Sequence, residues 1–238
     1  MNKKEFSPLR IERRQSLTGA AADRLRKAIL AGELRQGQHL VEIETAEKLG
    51  ISRGPLREAF KLLAAEGLLE IRQERGVFVP KHSNEEVEQM IIARAMIEGT
   101  AARLFVLRAD EQTRARLSDL LAAMEIEAER ADTSAWREID WKFHETVLVG
   151  SGNPFLRRAW ATIGTLLRVY MMQMNPLYDE QRAQAMENHR RLVKVLLADD
   201  PAEAEARFRQ TILTTGYFVL GRVPPAGLVD GNAGRGEA

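Results

Sequence analysis

The sequence predicts a mainly α-helical chain in two parts: three short helices closed by a small β-hairpin, then an all-α antiparallel helical bundle. Three observations carry this. Apolar residues recur at helical spacing along most of the chain. Two β-prone runs, LLEIR and GVFVP, interrupt that pattern once, around the charged turn QER. A polar stretch led by proline, PKHSN, then separates the halves.

In order, residues 1–15 are charged and read as a flexible arm. Leu17, Ala21, Leu25, Ala28 and Ile29 give a helix over 17–31, stopped by Gly32. ELRQGQHL reads as a turn, 43–49 as a short helix, GIS as a turn, and 53–66 as a second helix stopped by Gly67. The hairpin follows, so 16–80 has the pattern of a winged helix-turn-helix. Residues 81–83 are the linker. Helices are expected over 84–108, 110–131, 133–150, 154–175, 178–199 and 201–221, each separated by an N-cap or proline signal. These make one helical domain, 84–222, and the Gly- and Pro-rich end, 223–238, reads as a disordered tail.

Composition narrows the function. With 238 residues, 45% hydrophobic and 29% charged, the chain can build real cores and is neither disordered nor fibrous. No apolar run approaches the ~20 residues of a bilayer span, and MNKKEFSPLRIERR lacks the apolar segment of a secretory leader. Zero cysteines exclude disulfides, thiolate metal sites and thiol nucleophiles, and a cytoplasmic location is the default expectation. Residues 1–80 carry 15 Lys+Arg against 11 Asp+Glu, a net of +4, and the remainder a net of −3. That split suits a nucleic-acid module joined to a domain with another task.

The 53–66 helix carries the first candidate site. Leu56, Phe60 and Leu63 form one apolar stripe, while Arg53, Arg57 and Lys61 fall at i, i+4 and i+8 on another face. Ser52 stands at the N-cap, its hydroxyl or backbone NH suited to a phosphate. Gly54 lets the backbone come close to a duplex, and an arginine fork suits guanine O6 and N7. Three spaced cations also occur on any solvated helix. The ordered series of short helix, Gly turn, Ser-capped basic helix, Gly stop and hairpin with Arg75-Gly76 at its tip is far rarer.

GISRGPLREAFKLLAAEGLL followed by RGVFV resembles the GntR family of bacterial repressors, densely over 17–80. The resemblance implies that Ser52, Arg53, Gly54 and Arg57 open a recognition helix, with Arg53 and Arg57 on bases or phosphates. It also implies a wing tip at Arg75 and Gly76 near the minor groove, a homodimer, and a palindromic double-stranded DNA operator. Gly54 stands where many members have Thr, and Ile43 where some have a basic residue.

In the second half, Asp140 and His144 are spaced i, i+4 in IDWKFHETVL, and His189 shares an apolar face with Met186, Val193 and Leu196. One carboxylate and two imidazoles in a bundle core would make a three-ligand divalent metal site with open positions. The same spacing fits a surface ion pair and a core histidine. Arg94 interrupts the stripe of Val87, Ile91, Ile97/Glu98, Ala101 and Leu104 and so points inward. Its partner is either Glu98 at i+4 or a bound carboxylate. Trp160, Arg168 and Tyr170 are candidate pocket walls. No general base beside the trio and no phosphate-binding Gly loop is legible, so an enzyme is not expected.

RAMIEGTAARL, DWKFH, GNPFL and ENHRRLVKVLLADDPAEAEA are similar to the FCD ligand-binding domain of the FadR branch, in its shorter VanR-like six-helix form. The resemblance implies one divalent metal held by Asp140, His144 and His189, with Thr211 in place of a fourth-ligand histidine. It also implies a small organic or sugar acid as effector, with Arg94 and Thr211 as contacts.

Overall fold

Leu17–Leu30 (α1) forms because Ser16 caps it, accepting from the Gly19 amide at 3.1 Å, and because Ala21, Ala22, Leu25, Ala28 and Ile29 share one buried face. The computed structural model describes residues 16–130, 134–174 and 182–229. The expected arm at 1–15 and the end of the expected tail lie outside them.

The chain divides into two compact units, Met1–Pro80 and Lys81–Ala238. In the first, α1 packs on α3 (Arg53–Ala65), whose Leu56, Ala59, Phe60 and Leu63 are buried. Leu56, Phe60 and Leu63 each contribute roughly 1.5–3 kcal/mol on burial. Arg26 clasps Glu66 through Nε and Nη2 at 2.9 and 2.7 Å and ties the two helices at the rim. Between them, α2 (Glu42–Leu49) stops on Gly50, whose φ of 65° sets the tight turn into α3.

β2 (Glu70–Arg72) and β3 (Gly76–Phe78) form the expected hairpin. A third strand was not expected. β1 (His39–Leu40) lies in the stretch read as a turn, and it pairs antiparallel with β3, His39 opposite Phe78 and Leu40 opposite Val77. Two residues are too short for any alternation to show in sequence. The sheet order is β1-β3-β2.

In the second unit, α4 (Asn84–Arg108) starts on a full capping box: Ser83 Oγ accepts from the Glu86 amide, and Glu86 accepts from the Ser83 amide. It is followed by α5 (Glu111–Ala128), α6 (Ser134–Gly150), α7 (Pro154–Met174), α8 (Arg182–Leu197) and α9 (Pro201–Val219). α4 touches α6, α7, α8 and α9, and its buried residues therefore run nearly all round it. Its longest seam is with α9. Gly216 makes that seam close, since a Cβ there would fall 2.5 Å from Ile91 Cγ2. Beyond α9, Ala226–Val229 (α10) folds as a short turn of helix and packs Leu228 on the core. The stretch 223–229 of the expected tail is thus ordered, because Leu228 finds apolar cover that composition does not reveal.

Candidate metal centre and nucleic-acid interface

α6 presents Asp140 and His144 one turn apart, and α8 presents His189 against them. Their ligand atoms all lie within 4.8 Å of one another, and all three residues line a cavity of about 50 Å³. His189 Nε2 is 2.9 Å and His144 Nε2 is 3.8 Å from Asp140 Oδ1. The sequence spacing left open a surface ion pair. That is excluded, since both histidines are buried and Asp140 is nearly so.

Each imidazole is held by its other nitrogen. His189 Nδ1 lies 2.8 Å from the Ala185 carbonyl, and His144 Nδ1 lies 2.5 Å from Glu98 Oε2. Both acceptors require a protonated Nδ1, which leaves a lone pair on each Nε2, facing the Asp140 carboxylate. His189 Nε2 is buried and makes no aligned hydrogen bond. Lone pairs brought this close around one carboxylate oxygen call for a cation between them. The donor set therefore fits a divalent metal of the zinc or nickel kind. Burial pushes the Asp140 carboxyl up, but positive charge at His189, His144 and Arg94 outweighs it and holds it down at about 2, and a metal between neutral rings would supply that charge in place of the ring protons. The acid is thus ionised, as a ligand must be.

Arg94 lines the same cavity, and its Nε donates to Glu98 Oε1 at 2.5 Å. Of the two expected partners, Glu98 is the one present here, and the pairing leaves Arg94 in the cavity wall. Thr211, from α9, also lines the cavity, together with Asn188 and Thr215. Of the expected walls, only Tyr170 takes that place. Trp160 instead donates to Glu98 at 2.6 Å, and Arg168 pairs with Glu138 while its guanidinium lies over the Trp141 ring. Both were misplaced because helical periodicity gives a side chain's direction but not its reach.

Glu98 is the buried group of this centre that sequence reasoning underrated. It has no exposure at all and accepts from Arg94, His144 and Trp160, which come from three helices. Burial pushes its carboxyl up, and Arg94 with His144 outweighs burial, to about 2. Its position on the stripe beside Arg94 was the available signal.

The first unit presents the other candidate surface. Ser52, Arg53, Gly54, Arg57 and Lys61 are all exposed along α3, as are Arg75 and Gly76 in the hairpin. Ser52 has extended N-cap geometry, but its hydroxyl makes no cap hydrogen bond, contrary to expectation. An added Cβ at Gly54 meets nothing within 4 Å. Gly76 is different: its φ is 100°, and a Cβ would fall 2.4 Å from His39 Nε2. His39 in turn stacks on Phe78 at 4.6 Å, and the Arg72 guanidinium also lies over the Phe78 ring. Arg53 and Arg57 both donate to the Glu42 carboxylate on α2, the second at 2.8 Å, and Lys61 pairs with Glu58. Hydrogen bonds from Arg57 and Arg53 lower the Glu42 pKa. Ile43, beside Glu42, is exposed. Among the described residues, no helix is long and apolar enough to cross a membrane.

Comparison with known proteins agrees with this division. Residues 17–79 match the bacterial regulatory proteins of the gntR family, and residues 89–214 match the FCD domain. The chain is 31% identical over 195 residues to the "Probable D-xylose utilization operon transcriptional repressor" of Paenarthrobacter nicotinovorans, covering 81% of this chain and 84% of that one. Its structure is similar to E. coli McbR/YncC, with a TM-score of 0.67 and 25% identity over 85% of this chain and 98% of the other. A GntR transcriptional regulator from Rhodococcus sp. RHA1 shares the fold, with a TM-score of 0.74 and 21% identity over 87% and 99%. A GntR helix-turn-helix domain followed by an FCD domain makes this chain a member of the GntR family, a family of transcriptional regulators and not of enzymes.

Proposed function

We propose that this regulator is a cytoplasmic repressor of the FadR branch whose grip on its operator is set by a small carboxylic acid bound beside a divalent metal. The observation that carries this is the convergence of Asp140, His144, His189 and Arg94 on one cavity. Asp140, His144 and His189 would hold the metal, which supplies a positive centre with positions open to a carboxylate. Arg94 adds a second cation, and Thr211 offers a hydroxyl where an imidazole would close the metal's shell. A cavity of about 50 Å³ suits an ion with a few waters, at ~10–15 Å³ each, or a small acid in their place.

On DNA, the exposed basic face of α3 is the reading surface, with Arg53 and Arg57 on bases or phosphates, Lys61 on phosphate, and Arg75 and Gly76 at the wing. Ser52, whose hydroxyl makes no cap bond, is suited to a phosphate at the helix start. One such head binds weakly, so a homodimer on a palindromic operator is expected. The relative named for a D-xylose utilization operon supports repression of a catabolic operon as the role.

The test is a thermal-shift screen of organic and sugar acids with and without zinc, nickel or manganese, followed by operator titration with any stabilising pair. A ligand that binds only the native state raises its melting temperature. Stabilisation that needs both metal and acid, and that alters operator affinity, is the expected result. A protein that retains no divalent ion after loading, and that no acid stabilises, would overturn the proposal.

A further inference from the structure

The hydrogen bonds around Glu98 divide by oxygen. Oε1 accepts from Arg94 Nε at 2.5 Å and from Trp160 Nε1 at 2.6 Å, and both of these nitrogens can only donate. Oε2 faces His144 Nδ1 at 2.5 Å. The residue is sealed from solvent, so each oxygen must find its partners inside the protein. The His144 ring is in turn packed edge-on by Phe143 and Phe208, with centroids at 5.5 and 6.3 Å, which fixes its plane.

We infer that Glu98 is a positioning residue that fixes the His144 tautomer, and so decides whether the Nε2 lone pair faces Asp140 and His189. The inference rests on the proposed metal function for its purpose, but not for its geometry. A carboxylate can only accept, so it keeps the His144 proton on Nδ1 and leaves Nε2 as a donor of electrons to a cation. Arg94 and Trp160 give the arrangement its direction. They occupy Oε1 so fully that any replacement of Glu98 must keep an acceptor at that atom. His189 needs no such device, because the carbonyl of Ala185, one turn back on α8, already accepts a hydrogen bond from its Nδ1–H.

Glu98→Gln turns this into a sharp test, since it changes one oxygen to an amide nitrogen without changing shape. The amide oxygen must stay toward Arg94 and Trp160, because two donors cannot face an NH2 group. The NH2 then faces His144 Nδ1, which can only accept, and the ring proton moves to Nε2. That nitrogen no longer has a lone pair for a metal.

The experiment is ring-nitrogen NMR of His144 in metal-free protein, wild type and Glu98→Gln, in mildly alkaline buffer, paired with zinc titration calorimetry of both. Wild type is expected as the Nδ1–H tautomer and the variant as Nε2–H, with zinc affinity weaker by about tenfold or more. A folded variant that keeps Nδ1–H, or that binds zinc as tightly as wild type does, overturns the inference. Should the variant fail to fold, the wild-type spectrum decides: Nδ1–H supports the inference and Nε2–H overturns it. Should wild type bind no zinc, the metal function falls, while the tautomer comparison still rules for or against Glu98.

Discussion

Arg57 Nε lies 2.8 Å from the Glu42 carboxylate, so a side chain assigned to DNA is already engaged by an acid of the preceding helix. Arg53 shares that acid. If α3 reads DNA as proposed, the duplex must displace Glu42 or accept the arginines in the direction Glu42 gives them. Both are about half exposed, so the pairs themselves add little stability. Glu42→Gln should tighten binding to arbitrary duplex by about three- to tenfold at low salt, while operator binding gains less, narrowing the specificity ratio. Fluorescence anisotropy against operator and scrambled duplex checks this. An unchanged ratio would show that Glu42 plays no part in discrimination.

Arg53→Ala and Arg57→Ala should each weaken operator binding with the helical circular-dichroism signal intact. If Arg53 reads a guanine, the loss should be roughly ten- to a hundredfold and confined to one base pair. Lys61→Ala should lower affinity evenly across sequences and reduce the salt slope by about one. Unchanged operator affinity in both arginine variants would remove α3 as the reading element.

Gly76→Ala should destabilise the first unit. The substitution forces an L-residue to a φ of 100° and drives a methyl into His39. The combined cost should be about 1–3 kcal/mol. Removing the imidazole as well, in His39→Ala with Gly76→Ala, should recover the steric part and not the backbone part. Chemical denaturation of the four proteins in the cycle separates the two. Equal stability of wild type and Gly76→Ala would contradict the close approach.

In the second unit, Thr211→His should tighten metal binding at the proposed site by adding a third imidazole, and so a fourth ligand, to the cavity wall. His189→Ala should abolish both metal binding and the effector response, with operator binding in the absence of effector largely preserved. Metal analysis after loading and dialysis, run beside operator titrations, reads both outcomes. A normal effector response in His189→Ala would reduce the trio to core packing.

What the sequence made legible follows from distance along the chain. The recognition-helix stripe and the Asp140–His144 pair each lie within one helix, where a period of 3.6 places side chains directly. The Ser83 cap and the Gly50 stop are equally local. Glu98 was visible only as a neighbour of Arg94, because an i, i+4 ion pair has the same spacing on a surface as in a core. Its other two partners arrive from α6 and α7, and no local pattern announces that meeting. Glu42 was missed for the same reason, its arginines lying one helix further on. β1 failed for a different one: two residues pair because β3 is already there to receive them.

The glycine at position 216 has a consequence for which ligands the cavity can admit. With no side chain between α9 and Ile91 of α4, that seam has nothing compressible in it, and interhelical spacing is already at the limit set by its side chains. The cavity thus resembles a caliper with one fixed jaw, carrying Arg94 and Thr211. Leu167 and Met171 of α7 line it as well. A longer acid, bound as proposed, would gain room by pushing α7 outward, and Met171, unbranched and adaptable, would be the first to yield. On the proposed reading, the length of the acid is therefore accommodated on the side of α7, while its carboxylate end stays between the metal ligands and Arg94.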